Sequence, residues 1–97
     1  MNLRWDPRAI QDLREIRAYI AAHGSLASAD RVRRHLQARA ERLRTHPYMG
    51  PPSSNPEIRI LAATRYPYLI YYTVQGNEVV ILHVRHTARR PPSDLGL

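Results

Sequence analysis

Apolar residues recur at Ala9, Leu13, Ile16 and Ile20, in steps of four, three and four, while Arg8, Asp12, Glu15 and Arg17 fall between them. This is the period of an amphipathic helix with one dry face, which Ile10 widens. Asp6-Pro7 marks its start, because an Asp side chain can accept the free N–H groups of the first turn and the missing N–H of Pro costs nothing there. Gly24 is placed to end the helix in the left-handed conformation, and Ser25 or Ser28 to cap a second one. In that second helix Leu26, Ala29, Val32, Leu36, Ala40 and Leu43 step by three or four, with Arg31, Arg33, Arg34, Arg39 and Arg42 off the stripe. The spacing predicts helices over 7–22 and 25–45, antiparallel because so short a turn joins them. Leu13, Ile16, Ile20, Val32, Leu36 and Leu43 are the expected core positions.

His46-Pro47 ends the helical half, and the Pro-rich stretch 50–56 suits neither a helix nor a central strand. Beyond it the period becomes extended: 57–63, 66–74 and 78–86 are rich in β-branched and aromatic residues, and Gln75-Gly76-Asn77 supplies a hairpin turn. Alternation places Tyr66, Tyr68, Ile70, Tyr72 and Val74 on one side of the sheet. Residues 3–5 add a short edge strand. The predicted fold is α+β, a two-helix antiparallel hairpin packed on one face of an antiparallel β-sheet in the order β-α-α-β-β-β. The whole of 1–97 reads as a single domain, with 91–97 a loose tail.

Length and charge narrow the function. A chain of 97 residues has room for one core and no separate cofactor domain, and its marginal stability favours a bound partner. The net charge of +7 directs it toward acidic partners. All fifteen basic residues are Arg, a side chain suited to bidentate grip on carboxylate or phosphate, although genome composition also accounts for the absence of Lys. With no Cys, thiol catalysis, disulfides and thiolate metal sites are excluded. No apolar leader or bilayer-length run is present, so the expectation is a cytoplasmic protein without membrane association.

Candidate chemistry is sparse. His83 and His86, three apart on a strand, face opposite sides and cannot share a metal. A lone strand His can act as a general base but is more often packed or solvated. The sheet half offers only Glu57 and Glu78 at strand ends and Asp94 in the tail, and the four glycines are isolated. Neither a paired-carboxylate site nor a phosphate-binding loop emerges. The basic segment is more informative: Arg85, His86, Arg89 and Arg90 cluster where the last strand runs out, with no acidic residue from Val79 to Pro92. Arg59 and Arg65 extend this surface, and Tyr66, Tyr68, Tyr71 and Tyr72 interleave with it, a composition shared by base-stacking surfaces and by ordinary half-buried strands. The helix arginines read as a solvated ridge within reach of Asp30 and Glu41.

In order and spacing these residues resemble the ParE/RelE toxin pattern over nearly the whole chain. The similarity comprises Trp5 before the first helix, the Ala9…Asp12-Leu13…Ile16…Tyr19-Ile20 face, Leu43…Pro47…Gly50, and Ile58-Arg59-Ile60-Leu61. It continues through Tyr66-Pro67-Tyr68-Leu69-Ile70-Tyr71-Tyr72 and Val80-Ile81-Leu82-His83-Val84-Arg85-His86-Thr87-Ala88-Arg89. The resemblance implies the toxin of a type II toxin–antitoxin pair, held in check by an acidic ParD-like or RelB-like antitoxin. On nearly one fold, ParE-like members poison DNA gyrase and RelE-like members cut mRNA in the ribosome. The RNase branch places an Arg directly after the first Tyr of its Tyr-x-x-x-Tyr strand, where this chain has Leu69 after Tyr68. It also carries a Tyr or His near the C-terminus, and the tail after Arg90 has neither. His86-x-x-Arg89 is similar to the ParE ending. The ParE-like branch is therefore favoured, a gyrase-binding toxin rather than an enzyme, with Arg59, Arg65, Arg85, His86, Arg89 and Arg90 toward target or antitoxin. The alternative is a ribosome-dependent mRNA endoribonuclease using Arg59, Arg89, His86 and Tyr72. A third reading, a nucleic-acid-binding module, rests on charge and Tyr content alone. None of the three calls for a cofactor or metal.

Overall fold

The computed structural model describes residues 1–97. β1 (Asn2–Trp5) leads into α1 (Pro7–His23); α2 (Leu26–Glu41) ends in a 3-10 turn (Arg42–Arg44), and β2 (Arg59–Ala62), β3 (Tyr68–Gln75) and β4 (Glu78–His86) follow. The Asp6 side chain caps α1 by accepting the Arg8 N–H at 2.9 Å, with Pro7 in the first turn. Ser25 caps α2 by accepting the Ser28 N–H at 3.0 Å. Gly24 departs from expectation: its φ is −143°, outside the left-handed region. Its lack of a side chain matters for another reason, since a Cβ there would lie 3.1 Å from the Ile20 carbonyl oxygen.

The strand order is β1-β4-β3-β2. β2, β3 and β4 form an antiparallel meander, and the turn between β3 and β4 places Gly76 at φ +59°, a conformation that glycine adopts without strain. β1 joins the other side of β4 in parallel, Asn2 opposite Glu78 and Trp5 opposite Ile81, so the complete sheet is mixed. Parallel neighbours need a long connection, and the helical hairpin lies within it. β1 stops at Trp5 because Pro7 starts α1, so β4 beyond Ile81 is left without a strand on that side.

The main core lies between the helices and the sheet. Ala9, Val32, Leu36, Ala40 and Leu43 meet Leu61, Tyr68, Ile70, Tyr72, Val79, Ile81 and Val84. Of the six expected core positions, Val32, Leu36 and Leu43 are buried, whereas Leu13, Ile16 and Ile20 are half-buried against its edge. The α1 stripe therefore faces partly outward. A smaller cluster, Ile58, Tyr71, Val80, Leu82 and Leu95, occupies the opposite face of the sheet.

Leu95 belongs to the segment 91–97, for which the sequence reading expected a loose tail, and the packing corrects that. Leu95 is 6% exposed, and the Asn55 side-chain amide donates to its carbonyl at 2.9 Å. A short Pro-containing sequence gives no sign of such docking, because the apolar surface that holds it is assembled from β3, β4 and the 50–58 loop.

Candidate functional site

β4 delivers the basic segment to one end of the sheet. His86 is the last residue of the strand and pairs with Tyr68, against whose ring it packs edge-on at 5.4 Å between centroids. The chain then turns tightly: the Ala88 N–H donates to His86 Nδ1 at 3.0 Å, and the Arg89 N–H to the His86 carbonyl at 3.0 Å. Because Nδ1 accepts, a neutral His86 ring carries its proton on Nε2. The Thr87 N–H reaches the Pro67 carbonyl at 2.9 Å, and Arg85 Nη1 donates to the Arg90 carbonyl at 3.0 Å, so the segment is tied at both ends. None of Arg59, Arg65, Arg85, Arg89 and Arg90 takes part in an ion pair, whereas Arg4, Arg8, Arg17, Arg33 and Arg44 all do. The positive charge of the 85–90 segment is uncompensated by its own chain.

A cavity of about 440 Å³ lies between this segment and α1, with Glu15, Ile16, Tyr19, Tyr68, His86 and Arg89 in its wall. Burial pushes the Tyr68 phenol upward, which keeps its hydroxyl protonated. Arg65 lies at the same end of the sheet, its guanidinium 5.9 Å from the Tyr66 ring centre.

Arg59 is elsewhere. It pairs with Tyr72, four residues along β3 from Tyr68, about 13 Å at the rise of a β-strand. Its Nη1 donates to the Gly50 carbonyl at 2.8 Å, and its guanidinium lies 4.8 Å from the centre of the Tyr48 ring. Tyr72 is wholly buried: its hydroxyl accepts the Gly50 N–H at 3.0 Å and donates to the Pro47 carbonyl at 2.8 Å. Burial pushes its phenol upward as well. Gly50 is required at this contact, because a Cβ would meet the Tyr72 ring and the Ile60 carbonyl oxygen at 2.9 Å. Of the four residues singled out for RNA cleavage, the structure brings His86 and Arg89 together and separates Arg59 and Tyr72 from them.

The sequence missed a polar cluster at the open side of β4. Asp12 reaches from α1 to accept the Val84 N–H at 2.9 Å, in place of the missing strand partner. The same carboxylate oxygen lies 2.7 Å from Nδ1 of His83, whose Nε2 lies 3.0 Å from Asp94. Arg8 Nη1 donates to Asp94 at 2.9 Å and Arg8 Nε to Asp6 at 2.9 Å. Hydrogen bonding from Arg8 holds both carboxyls below the usual range, that of Asp94 at about 2. The separations of 71 and 11 residues from His83 explain why local pattern gives no hint of the cluster.

A basic α+β domain of two helices on one sheet, with an arginine segment outside the chain's ion pairs, matches the toxin pattern found in the sequence. The model of the ParE toxin of the type II toxin–antitoxin system parDE matches residues 3–91, and the chain belongs to that family. Toxin RelE2 of Caulobacter vibrioides is 36% identical over 85 residues, which cover 88% of this chain and 93% of that protein. A structure of the chromosomal ParDE toxin–antitoxin system from P. aeruginosa superposes with a TM-score of 0.82 at 25% identity, covering 89% of this chain and 95% of that one. The protein is thus a type II toxin of the ParE/RelE superfamily, and its family implies an antitoxin partner.

Proposed function

We propose that this toxin acts by binding DNA gyrase through the 85–90 segment, with Arg89 and Arg90 as the leading contacts and His86 and Arg65 beside them. The observation that carries the reading is the uncompensated arginine cluster on a rigid turn, an arrangement suited to gripping carboxylate or phosphate. The position of Arg59 favours a separate role for it, in antitoxin contact. The proposed antitoxin is an acidic segment with apolar anchors. α1 and α2 leave Ile10, Tyr19 and Leu26 exposed, Tyr19 at 63%, and a groove over Trp5, Ile10 and Leu13 is rimmed by Arg14, Arg17 and Arg33. Such a surface suits a chain that presents carboxylates and leucines together.

One observation favours the endoribonuclease as a second reading: His86 and Arg89 share a cavity wall with Glu15 and Tyr19, a set able to move protons and stabilise charge. The buried, doubly bonded Tyr72 weighs against that chemistry. Purified toxin assayed in parallel for inhibition of gyrase supercoiling and for mRNA cutting on stalled ribosomes separates the two. Supercoiling inhibited with mRNA intact is the expected result. His86→Ala is then expected to weaken gyrase binding only modestly, whereas loss of a general base would lower RNA cleavage by about 10²-fold or more.

A further inference from the structure

His83 is 8% exposed and faces a carboxylate at each ring nitrogen, Asp12 at Nδ1 and Asp94 at Nε2. An ionised carboxylate only accepts hydrogen bonds, so the ring satisfies both neighbours only when both nitrogens carry protons, which makes it an imidazolium. Asp94 is ionised, being held down by Arg8, and Asp12 already accepts the Val84 N–H. We propose that Asp12, His83 and Asp94 form a proton-dependent latch that docks the 91–97 tail and thereby positions the 85–90 segment; its functional consequence rests on the gyrase-binding reading.

The two sides of the latch are unequal. Asp12 is nearly buried and anchored by a backbone N–H, whereas the Asp94 side chain is 44% exposed and sits on the tail. When the ring loses a proton, one nitrogen turns a lone pair toward a carboxylate, and the tail side is the one free to move. The ring contacts Asp12 from α1 and Asp94 from the tail; Arg8 from α1, itself paired to Asp6, holds Asp94, and Tyr71, which Arg85 influences, pairs with His83 from β3. Arg8 retains Asp94 after the ring is neutral, but as an exposed pair of small strength. Leu95 then leaves the face formed by Ile58, Tyr71, Val80 and Leu82. The anchor downstream of Arg89 and Arg90 goes with it.

The sign follows from proton counting. The docked geometry sets a carboxylate at each ring nitrogen and so holds the additional proton, which makes a rise in pH weaken docking. The test is nuclear magnetic resonance of the full chain, following the His83 ring and the Leu95 and Gly96 amides through one pH series. The expected result is a doubly protonated ring in the docked state and at least a tenfold fall in the docked-to-free ratio, at the same midpoint as the ring. In Asp94→Asn the side-chain amide pairs with either form of the ring, so the tail stays docked and the step disappears. In Asp94→Ala the tail is free throughout. A neutral ring with Leu95 docked, or Leu95 still docked after His83 has titrated, overturns the latch. These measurements contain no gyrase, so the latch and the target reading fail independently.

Discussion

At the residue scale the most consequential side chain is Tyr72, which the sequence offers as a candidate acid–base group and the structure uses as a strut. Strand alternation groups it with Tyr68 and Ile70 on one side of the sheet, which proves to be the helix side, but its hydroxyl partners, Pro47 and Gly50, lie 25 and 22 residues away in an irregular loop. Tyr72→Phe leaves the buried Gly50 N–H without its acceptor, and is expected to cost about 1–3 kcal/mol. Urea denaturation should show a lower midpoint with an unchanged slope. Toxicity of a folded Tyr72→Phe protein should persist, since the hydroxyl does not reach the exposed surface. Asp94 yields a second prediction at this scale. Its carboxyl is lowered from 3.8 to about 2, chiefly by hydrogen bonding from Arg8, so its contribution to stability is fully present above the ordinary value and lost as pH falls through the lower one. The stability advantage of the wild type over Asp94→Asn should therefore be intact at about pH 5 and shrink between roughly pH 4 and 2 in acid-titrated urea melts.

At the element scale, what was legible follows what is periodic. Both helices, the Asp6 cap, the 78–86 strand and the hairpin turn read directly from spacing and turn chemistry, and the structure has them within a few residues, with Ser25 rather than Ser28 as the second cap. The parallel pairing of β1 depends on tertiary placement, which four residues of strand cannot encode. The partial exposure of Leu13, Ile16 and Ile20 reflects a helix whose apolar stripe is wider than the core it meets. The docked tail was illegible for the same reason: Leu95 is an isolated apolar residue among Pro, Ser and Gly, and its meaning comes from a pocket made by other elements. Leu95→Ala should cost about 2 kcal/mol, near the low end for a buried leucine because a terminal segment relaxes easily. Thermal denaturation checks it. No change in Tm would show that the tail contributes nothing to the fold.

At the scale of the whole molecule, a net charge of +7 and an apolar, arginine-rimmed helical surface suit the acidic partners proposed above. The candidate target surface was half legible: the 85–90 cluster is contiguous in sequence and contiguous in space, whereas Arg59 is grouped with it only by composition and lies down the strand. With the cognate antitoxin at a hundredfold excess over its Kd, mass action should add about 2.7 kcal/mol of stability and raise Tm by on the order of 10 °C. An unchanged Tm would remove the partner-stabilised view of this small domain. The central claim, that the protein disables its target by binding through the 85–90 segment, is tested most directly by adding purified toxin to gyrase and supercoiled plasmid and measuring the cleaved-DNA complex. The expected result is accumulation of that complex with wild-type toxin, and a loss of at least tenfold in potency for the folded Arg89→Ala/Arg90→Ala variant. Codon-positioned mRNA cleavage on ribosomes with gyrase unaffected would contradict it.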